Sequence, residues 1–353
     1  GGKIMERSIA KRIGIRTILF PVFVVVSIFI GLLLGLNFKS ESSSIATYGI
    51  PVGLFFMIYP AMARVKLSQM RESFKDLKNV GLMVFLNYAI APFLVAGIAY
   101  LLVYGIYIHT GILTYKVATQ MLVGIILLGV APCIAMVMVW TDLARGNLPL
   151  GISFVAWNSV IQIVTTPLLV YLLARTSVTV SPAIILESVL LYLFLPMVAG
   201  IITRISLQKK AIFNKVLKYL SYVQTISLLI TILVIFWGEG YGVIDTPSLV
   251  WMVGIVMLTF YFTLFHVGYF ISRKLGRNYE DATTVGFTVS ARDFEVSIAI
   301  ALSAFSIYPY VGITTAIGPL LEIPLMLLLV FMQLRRQRSI NMEKNINNLV
   351  VTK

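Results

Sequence analysis

The stretch GVAPCIAMVMVWTDLARG, from Gly129 to Gly146, places a proline and a cysteine in the middle of an apolar segment long enough to span a membrane. Cys133 is the only cysteine of the chain and directly follows Pro132. A proline inside a helix removes one backbone donor and clashes with the preceding turn, so the segment is predicted to kink or unwind at Pro132. Within a bilayer such a break is tolerated where the freed backbone groups are buried in protein or line a cavity. The stretch therefore predicts a buried helix break with a thiol beside it.

The composition of the whole chain predicts a polytopic membrane protein. Of its 353 residues, 59% are hydrophobic and only 12% are charged, and the mean hydropathy is +0.95. Such a chain has too few polar residues to cover a water-soluble surface. A single cysteine excludes an intrachain disulfide, and the two histidines, His109 and His266, are far apart, which argues against a histidine metal site. We expect no cofactor.

Ten apolar segments, each close to the roughly 20 residues that a bilayer requires, are predicted to span the membrane. They are 17–36, 46–63, 80–105, 117–140, 148–174, 182–206, 217–237, 247–271, 282–307 and 312–333. Residues 1–16 are predicted to form a cytoplasmic N-terminus. Residues 334–353 are predicted to form a cytoplasmic tail, which is polar and Asn-rich and is expected to fray beyond Arg338.

The distribution of lysine and arginine predicts the orientation, because basic residues are retained on the cytoplasmic side. With the N-terminus inside, 24 of the 28 basic residues lie in cytoplasmic segments. Lys39, Lys116 and Arg175 then lie outside, and Arg292 lies within the membrane. The formal net charge of +14 is thus a topology signal that requires no nucleic-acid partner. We expect a multi-pass protein of the cell membrane with both termini in the cytoplasm.

The spacing of the spans predicts an inverted repeat. The starts of the first five spans recur in the second five at an offset of roughly 165–170 residues, which divides the chain into repeats 17–174 and 182–333. Five crossings are an odd number, so the second repeat has the opposite orientation. Inverted repeats are typical of alternating-access transporters, whose sites lie near the midplane at broken helices. Because residue identity between the halves is weak, evenly spaced helices without a repeat are the alternative.

The ninth span corresponds to the fourth in this repeat and contains SARDFEVSIAIALSAF, from Ser290 to Phe305. Arg292, Asp293 and Glu295 lie within four residues of one another in it. Ionisable groups at that depth are costly and usually line a pathway. We expect Arg292 to compensate Asp293 locally, which leaves Glu295 free to titrate. A neutralised ion pair with a purely structural role is the alternative.

If the fourth and ninth spans cross at their breaks, unwound backbone, a thiol and three ionisable groups converge. A small solute can be held at such a point. The alternative for Cys133 taken alone is a small packing residue in an apolar core.

Several stretches resemble motifs of the arsenite efflux permease family, within the bile acid/arsenite/riboflavin transporter superfamily. They are YPAMARVKLSQM from Tyr59, APCIAMVMVW followed by TDLARGN, AWNSVIQ from Ala156, ARDFEVSIAIAL from Ala291 and IGPLLEIPLML from Ile317. The matching stretches occur in order along nearly the whole chain.

The resemblance implies a ten-helix fold similar to that of bacterial bile acid symporters. In that fold spans 1, 2, 6 and 7 form a panel, spans 3–5 and 8–10 form a core, and broken spans 4 and 9 cross. It also implies arsenite extrusion coupled to protons. Cys133 matches the essential thiol of the family, Glu295 its essential ninth-span acid, and Asn158 and Glu322 match polar positions of spans five and ten. Asp293 departs from the family, where a neutral Asn is expected, and an additional acid at this position bears on the coupling stoichiometry.

The chemistry of the candidate residues agrees with this resemblance. Trivalent arsenic is soft and seeks thiolate, and a single cysteine cannot enclose it in a cage too stable for release. Arsenous acid is largely neutral at physiological pH, so the membrane potential alone cannot expel it and a coupled ion is required. A buried carboxyl such as Glu295, balanced between burial and the charge of Arg292, can take up and release a proton. The sequence leaves open whether antimonite is also carried and whether protons or sodium drive transport.

Three other functions are alternatives to arsenite export. A sodium-coupled importer of organic anions fits the same fold, with Arg292 holding the carboxylate of the solute. A membrane acid protease requires two carboxylates that face each other, whereas Asp293 and Glu295 are two apart on one helix and are expected to point differently. The chain is therefore not expected to be an enzyme. A passive channel has no need of titratable groups at the break of an inverted repeat.

Overall fold

The computed structural model describes residues 15–64, 77–134, 136–175, 177–179 and 181–351. Most of the predicted N-terminus 1–16, much of the first basic loop and the tail residues 352–353 lie outside these ranges. Within them the chain is helical, and its β-structure is confined to one isolated bridge.

The helices are named here in chain order, with π-helical segments numbered separately. They are α1 (Ile15–Asn37), α2 (Lys39–Arg64), α3 (Leu77–Val84), π1 (Phe85–Ile90), α4 (Ala91–Leu102), π2 (Val103–Ile108), α5 (Tyr115–Val130), α6 (Val137–Leu143), α7 (Leu148–Ala174), α8 (Pro182–Val189), π3 (Leu190–Phe194), α9 (Leu195–Leu207), α10 (Phe213–Asp245), α11 (Pro247–Lys274), α12 (Tyr279–Ser290), α13 (Phe294–Ala304) and α14 (Pro309–Val351).

Seven helices in the described ranges are long and apolar enough to cross a membrane. They are Ser44–Arg64, Lys78–Ile108, Leu148–Ala174, Pro182–Leu207, Phe213–Asp245, Pro247–Lys274 and Pro309–Ile340. Shorter apolar helices are Val22–Asn37, Tyr115–Val130 and Phe294–Ala304. The chain is thus an all-helical integral membrane protein, while the total of ten spans stays a prediction.

The ends of the helices follow the hydropathy pattern closely in some places and depart from it in others. α7 has the predicted boundaries, whereas α10 extends beyond 217–237 at both ends. The prediction of a frayed tail after Arg338 is wrong, because α14 continues to Val351. Extending an existing helix adds a hydrogen bond per residue without a new nucleation step, so a polar segment can continue it.

The packing of the long helices positions the site. α10 packs against α1 and α2, and α9 packs against α2, whereas α14 packs against α5 and α13, and α11 packs against α12. Small residues permit the close contacts within a bilayer. A β-carbon on Gly200 of α9, for example, would lie 2.6 Å from the carbonyl oxygen of Tyr59 in α2.

The helix termini form two chemically different ends. At one, called the basic end, Arg204 Nη1 donates hydrogen bonds to the carbonyl oxygens of Ala63 (3.0 Å) and Arg64 (2.9 Å). The other, called the opposite end, includes Lys39, whose Nζ lies 3.1 Å from the centroid of the Tyr241 ring. Most basic residues of the described ranges belong to segments at the basic end, which gives the molecule an electrostatic polarity.

Candidate functional site

Two helix breaks lie in the segments that correspond to the fourth and ninth predicted spans. α5 ends at Val130 and α6 begins at Val137. α12 ends at Ser290 and α13 begins at Phe294. Short non-helical segments therefore interrupt both spans where the sequence predicts polar and proline-containing breaks.

The two breaks are joined to each other by backbone hydrogen bonds. The amide of Cys133 donates to the carbonyl oxygen of Ala291 at 3.1 Å, and the amide of Asp293 donates to that of Ala131 at 2.9 Å. Each break thus supplies one donor and one acceptor to the other. Because unwound backbone in a bilayer must be paired inside the protein, this pairing accounts for the stability of two breaks at one depth.

Pro132 lies opposite Arg292 in the isolated antiparallel bridge between the breaks. The hydrogen bonds of the bridge are donated by the amides of Cys133 and Asp293, which follow these two residues. The missing amide hydrogen of Pro132 therefore costs no hydrogen bond there. Proline is therefore compatible with the bridge while it prevents the helix from continuing.

The Cys133 thiol is buried within electrostatic reach of three acidic residues. Its side chain is 2% exposed, and its Sγ accepts a hydrogen bond from the amide of Met136 at 3.3 Å. The carboxyl groups of Glu322, Glu295 and Asp293 are close enough to act on the thiol electrostatically. One soft ligand thus lies within electrostatic reach of three acids that belong to two other segments.

Asp293 caps the helix that begins the second half of the ninth span. Its Oδ1 accepts a hydrogen bond from the amide of Val296 at 3.1 Å, which satisfies one of the free amides of the first turn of α13. This cap brings the Asp293 carboxyl close enough to interact with that of Glu295. The prediction that these two carboxyls point differently is therefore wrong, because the cap folds Asp293 back over the turn that carries Glu295.

The Arg292 guanidinium is fully buried and turns toward the third and fourth spans. It donates hydrogen bonds to the carbonyl oxygen of Gly129 (3.3 Å), to Asn87 Oδ1 (3.4 Å) and to the carbonyl oxygen of Val289. Its charge also acts on Glu322. The positive charge is thus held by carbonyl dipoles and lies next to the acid of α14.

The predicted local pair between Arg292 and Asp293 is wrong. The guanidinium binds other groups, and the Asp293 carboxylate serves as a helix cap. Successive side chains of an extended backbone point to opposite sides, so neighbours in the unwound segment are separated in space.

Asn158 joins the site through the third span. Its Oδ1 accepts from Asn87 Nδ2 and from the Tyr88 hydroxyl, both at 3.3 Å, and its carbonyl oxygen accepts from the same hydroxyl at 3.3 Å. Asn87 and Tyr88 belong to π1, and π-helical turns within α-helices often occur at functional sites. Neither residue was predicted from the sequence, although the polar pair in the apolar stretch FLNYAIAP was a usable signal.

Glu322 is held by Tyr261, another residue that was not predicted from the sequence. The Tyr261 hydroxyl of α11 donates to Glu322 Oε2 at 2.7 Å, and both residues are fully buried. A tyrosine in an apolar span is common, so the sequence offered no signal for this contact.

Several buried polar atoms of the site have no hydrogen-bond partner within the described ranges. They are Asp293 Oδ2, Glu295 Oε1, Glu322 Oε1, Arg292 Nε and Asn158 Nδ2. Buried polar atoms are costly unless they are bonded, and together these atoms offer acceptors and donors to a small hydroxylated solute beside the thiol. No three histidine, cysteine or acidic side chains of the described residues converge closely enough to hold a metal ion.

Two clefts approach the site from the two ends of the molecule. The basic-end cleft has a volume of about 230 Å³, and its lining includes Arg64, Gln224 and Ile134, the neighbour of Cys133. The opposite-end cleft has a volume of about 490 Å³, and its lining includes Glu239 and Ala301. None of the predicted site residues lines either cleft, and all of them are buried.

Three known proteins are similar in sequence to this chain over most of its length. An uncharacterized transporter of Synechocystis sp. is 33% identical over 306 residues, which cover 82% of this chain and 79% of that protein. The arsenical-resistance protein Acr3 of Corynebacterium glutamicum is 28% identical over 89% of this chain and 87% of its own length. Acr3 of Alkaliphilus metalliredigens is 28% identical over 91% of this chain and 92% of its own. Residues 51–246, more than half of the chain, match the sodium bile acid symporter family. The chain therefore belongs to the sodium bile acid symporter family.

Proposed function

We propose that the protein exports arsenite from the cytoplasm in exchange for protons. The observation that carries the proposal is the pairing of the two helix breaks, which sets the Cys133 thiol among the carboxyls of Asp293, Glu295 and Glu322. The similarity to two arsenical-resistance proteins over about nine tenths of the chain supports this choice of solute.

The proposed architecture has ten spans in two inverted repeats, with the basic end in the cytoplasm. The packing of α10 against α1 and α2, and of α9 against α2, supports a panel made of the first, second, sixth and seventh spans. The remaining spans then form the core, with the paired breaks at its centre. Retention of basic residues on the cytoplasmic side supports this orientation of the two ends.

Cys133 is proposed to bind the solute as its soft ligand. When arsenous acid meets the thiol, an As–S bond forms, an As–O bond breaks, and the displaced hydroxyl leaves as water with the thiol proton. Water can hydrolyse this single As–S bond, which permits release of the solute. The unpartnered oxygens of Glu322 and Asp293 are suited to accept hydrogen bonds from the remaining hydroxyls, while Pro132 fixes the backbone that carries the thiol.

Glu295 is proposed to carry the coupling proton. It is buried beside Asp293 at the start of α13, within electrostatic reach of the thiol. Protonation on the outer side is expected to favour loss of the solute, and deprotonation on the inner side is expected to favour its capture. Proton binding and solute binding then exclude each other, which is the condition for exchange.

A sodium-coupled symporter of an organic anion is the second candidate function. The family match and the buried Arg292, whose Nε has no partner in the described ranges, favour it. Against it, Asp293, Glu295 and Glu322 all lie at the same site and repel an anionic solute.

Everted membrane vesicles test the two candidates against each other. Arsenite accumulation is measured with an imposed pH gradient, acidic inside the vesicle, and separately with an imposed sodium gradient. The proposed function requires accumulation with the pH gradient alone. Accumulation that depends only on sodium would reject proton exchange, and no accumulation under either gradient would reject arsenite export.

A further inference from the structure

The opposite-end cleft contains a carboxylate that the paired breaks do not use. Glu239 of α10 faces this cleft and is half-buried. Its Oε2 lies 3.4 Å from the position that a β-carbon on Gly312 would take, so the glycine of α14 makes room for it. No hydrogen-bond donor or cation among the described residues is bound to this carboxylate.

The other titratable residues that line the opposite-end cleft are Lys39, Tyr241 and Tyr308. The Lys39 ammonium lies over the Tyr241 ring, and the Tyr308 hydroxyl is hydrogen-bonded to Thr179. Among the residues that line this cleft, Glu239 is therefore the one with a carboxyl group.

The walls of the cleft lead toward the buried acids. Ala301 lines the cleft and lies six residues after Glu295 on α13, a distance of about 9 Å along a helix. Gly312 lines it as well and lies ten residues before Glu322 on α14, about 15 Å along the helix. The two helices that carry the central carboxyls thus also form one wall of the cleft around Glu239.

The basic-end cleft has a different chemistry. Its lining consists of Ala61, Arg64, Ile134, Met138, Ile152, Val155 and Gln224, with a cation and no acid among these residues. A neutral solute such as arsenous acid is not drawn by charge to either cleft, whereas a proton is attracted to an unpaired carboxylate. The difference in charged residues between the two clefts therefore affects the coupling ion and not the solute.

We infer that Glu239 is the residue at which the coupling proton enters from the opposite end. This inference rests on the proposed exchange of arsenite for protons. The Glu239 carboxylate takes a proton from hydronium in the cleft and forms a carboxylic acid. As the core moves, it passes that proton to a carboxylate of the central site and returns to its charged form.

The test measures initial rates of arsenite accumulation in everted vesicles while the luminal pH is varied and the external pH is held constant. In these vesicles the opposite end faces the lumen. For Glu239→Gln we expect the luminal proton concentration that gives half of the maximal rate to rise by about tenfold, which corresponds to one pH unit. Glu187→Gln is the matched control, because Glu187 is an exposed carboxylate of a separate groove on α8. It is expected to behave as the unaltered protein.

Lys39→Met provides a second measurement that does not alter the acid. Removing a cation from the cleft favours protonation of Glu239, so half-maximal rate is expected at a lower luminal proton concentration. A purely structural role of Glu239 predicts no such opposite shift. Because Lys39 is exposed, this variant remains informative if Glu239→Gln does not assemble.

The outcomes separate this inference from the proposed function. If protons drive the unaltered protein but the proton dependence is unchanged in Glu239→Gln or in Lys39→Met, the inference alone is overturned. An unaltered protein driven only by sodium overturns proton exchange and the inference together.

Discussion

At the scale of single residues, Cys133→Ser separates ligand chemistry from packing. The serine oxygen can accept the hydrogen bond that Met136 donates to the Cys133 thiol, so the break is expected to persist. An oxygen ligand is hard, however, and trivalent arsenic prefers sulfur. We expect normal amounts of protein in the membrane and arsenite accumulation at background in everted vesicles.

Cys133→Ala provides the control for this substitution, since it removes the ligand and the hydrogen bond together. Both variants should fail to transport arsenite, and only the alanine variant should also lose thermal stability in detergent. Near-normal arsenite resistance in cells that carry the serine variant would rule out the thiol as a ligand.

Glu295→Gln addresses the proton at the same site. Glutamine imitates the protonated acid permanently and costs less to bury than a carboxylate, so the protein is expected to fold. The variant should nevertheless fail to build an arsenite gradient when a pH gradient is imposed. If it accumulates arsenite with unchanged pH dependence, the coupling proton is carried elsewhere, with Asp293 and Glu322 as the next candidates.

Arg292→Met removes the cation whose charge acts on Glu322. Loss of one member of a buried charge pair leaves the other uncompensated, and the cost is about 3–5 kcal/mol. We expect a low yield of folded protein, measured by size-exclusion chromatography after solubilisation. Adding Glu322→Gln should restore part of the yield, whereas adding Asp293→Asn should not, because Asp293 is bound as a helix cap. Equal recovery in the two double variants would contradict this assignment.

The sequence identified most residues of the site but not their partners. Cys133, Arg292 and Glu295 were recognisable because a thiol and charges are rare in apolar spans. The contacts of Arg292 were not recognisable from the sequence. Asp293 is the nearest acid in the chain, whereas the guanidinium binds Asn87, about 200 positions earlier. Proximity in an unwound segment cannot be inferred from proximity in sequence.

At the scale of the helices, hydropathy predicted the seven long apolar helices of the described ranges, because the bilayer fixes the length of a span. α7 shows this best, since its ends coincide with the predicted segment 148–174. The first break could be predicted from Pro132, because a proline interrupts a helix. The π-helical turn that carries Asn87 could not be predicted, because it depends on contacts with Asn158 in another helix.

The approach of α5 to α4 supplies a prediction at this scale. A β-carbon on Gly129 would overlap the side chain of Val95, so Gly129→Ala is expected to separate the helices just before the break. Overpacking of this kind costs about 1–3 kcal/mol. Thermal unfolding in detergent should show the loss, and arsenite transport should fall with it.

Gly97→Ala is the matched control for this prediction, because a β-carbon on Gly97 meets no atom within 4 Å. It should leave both stability and transport unchanged. Val95→Ala added to Gly129→Ala should recover part of the stability by making room. An unaltered melting temperature in Gly129→Ala would mean that this contact does not constrain the break.

At the scale of the whole molecule, the two clefts and the buried site between them predict alternating access. Ser306 lines the opposite-end cleft and Gln224 lines the basic-end cleft. Single cysteines at these positions, Ser306→Cys and Gln224→Cys, report access to each cleft through labelling with a charged maleimide. The native Cys133 is buried, and the unaltered chain measures its background. Lys116→Cys, at an exposed position, is expected to be labelled at a constant rate.

We expect labelling of the two clefts to change in opposite directions when arsenite or luminal acid is added, because one rigid movement of the core against the panel opens one cleft as it closes the other. Measurement in oriented vesicles with arsenite present and absent gives the two rates directly. A passive pore predicts that both rates rise together when the path opens. Parallel changes at Ser306→Cys and Gln224→Cys, with Lys116→Cys constant, would therefore reject exchange by alternating access even if the Cys133 thiol binds arsenite.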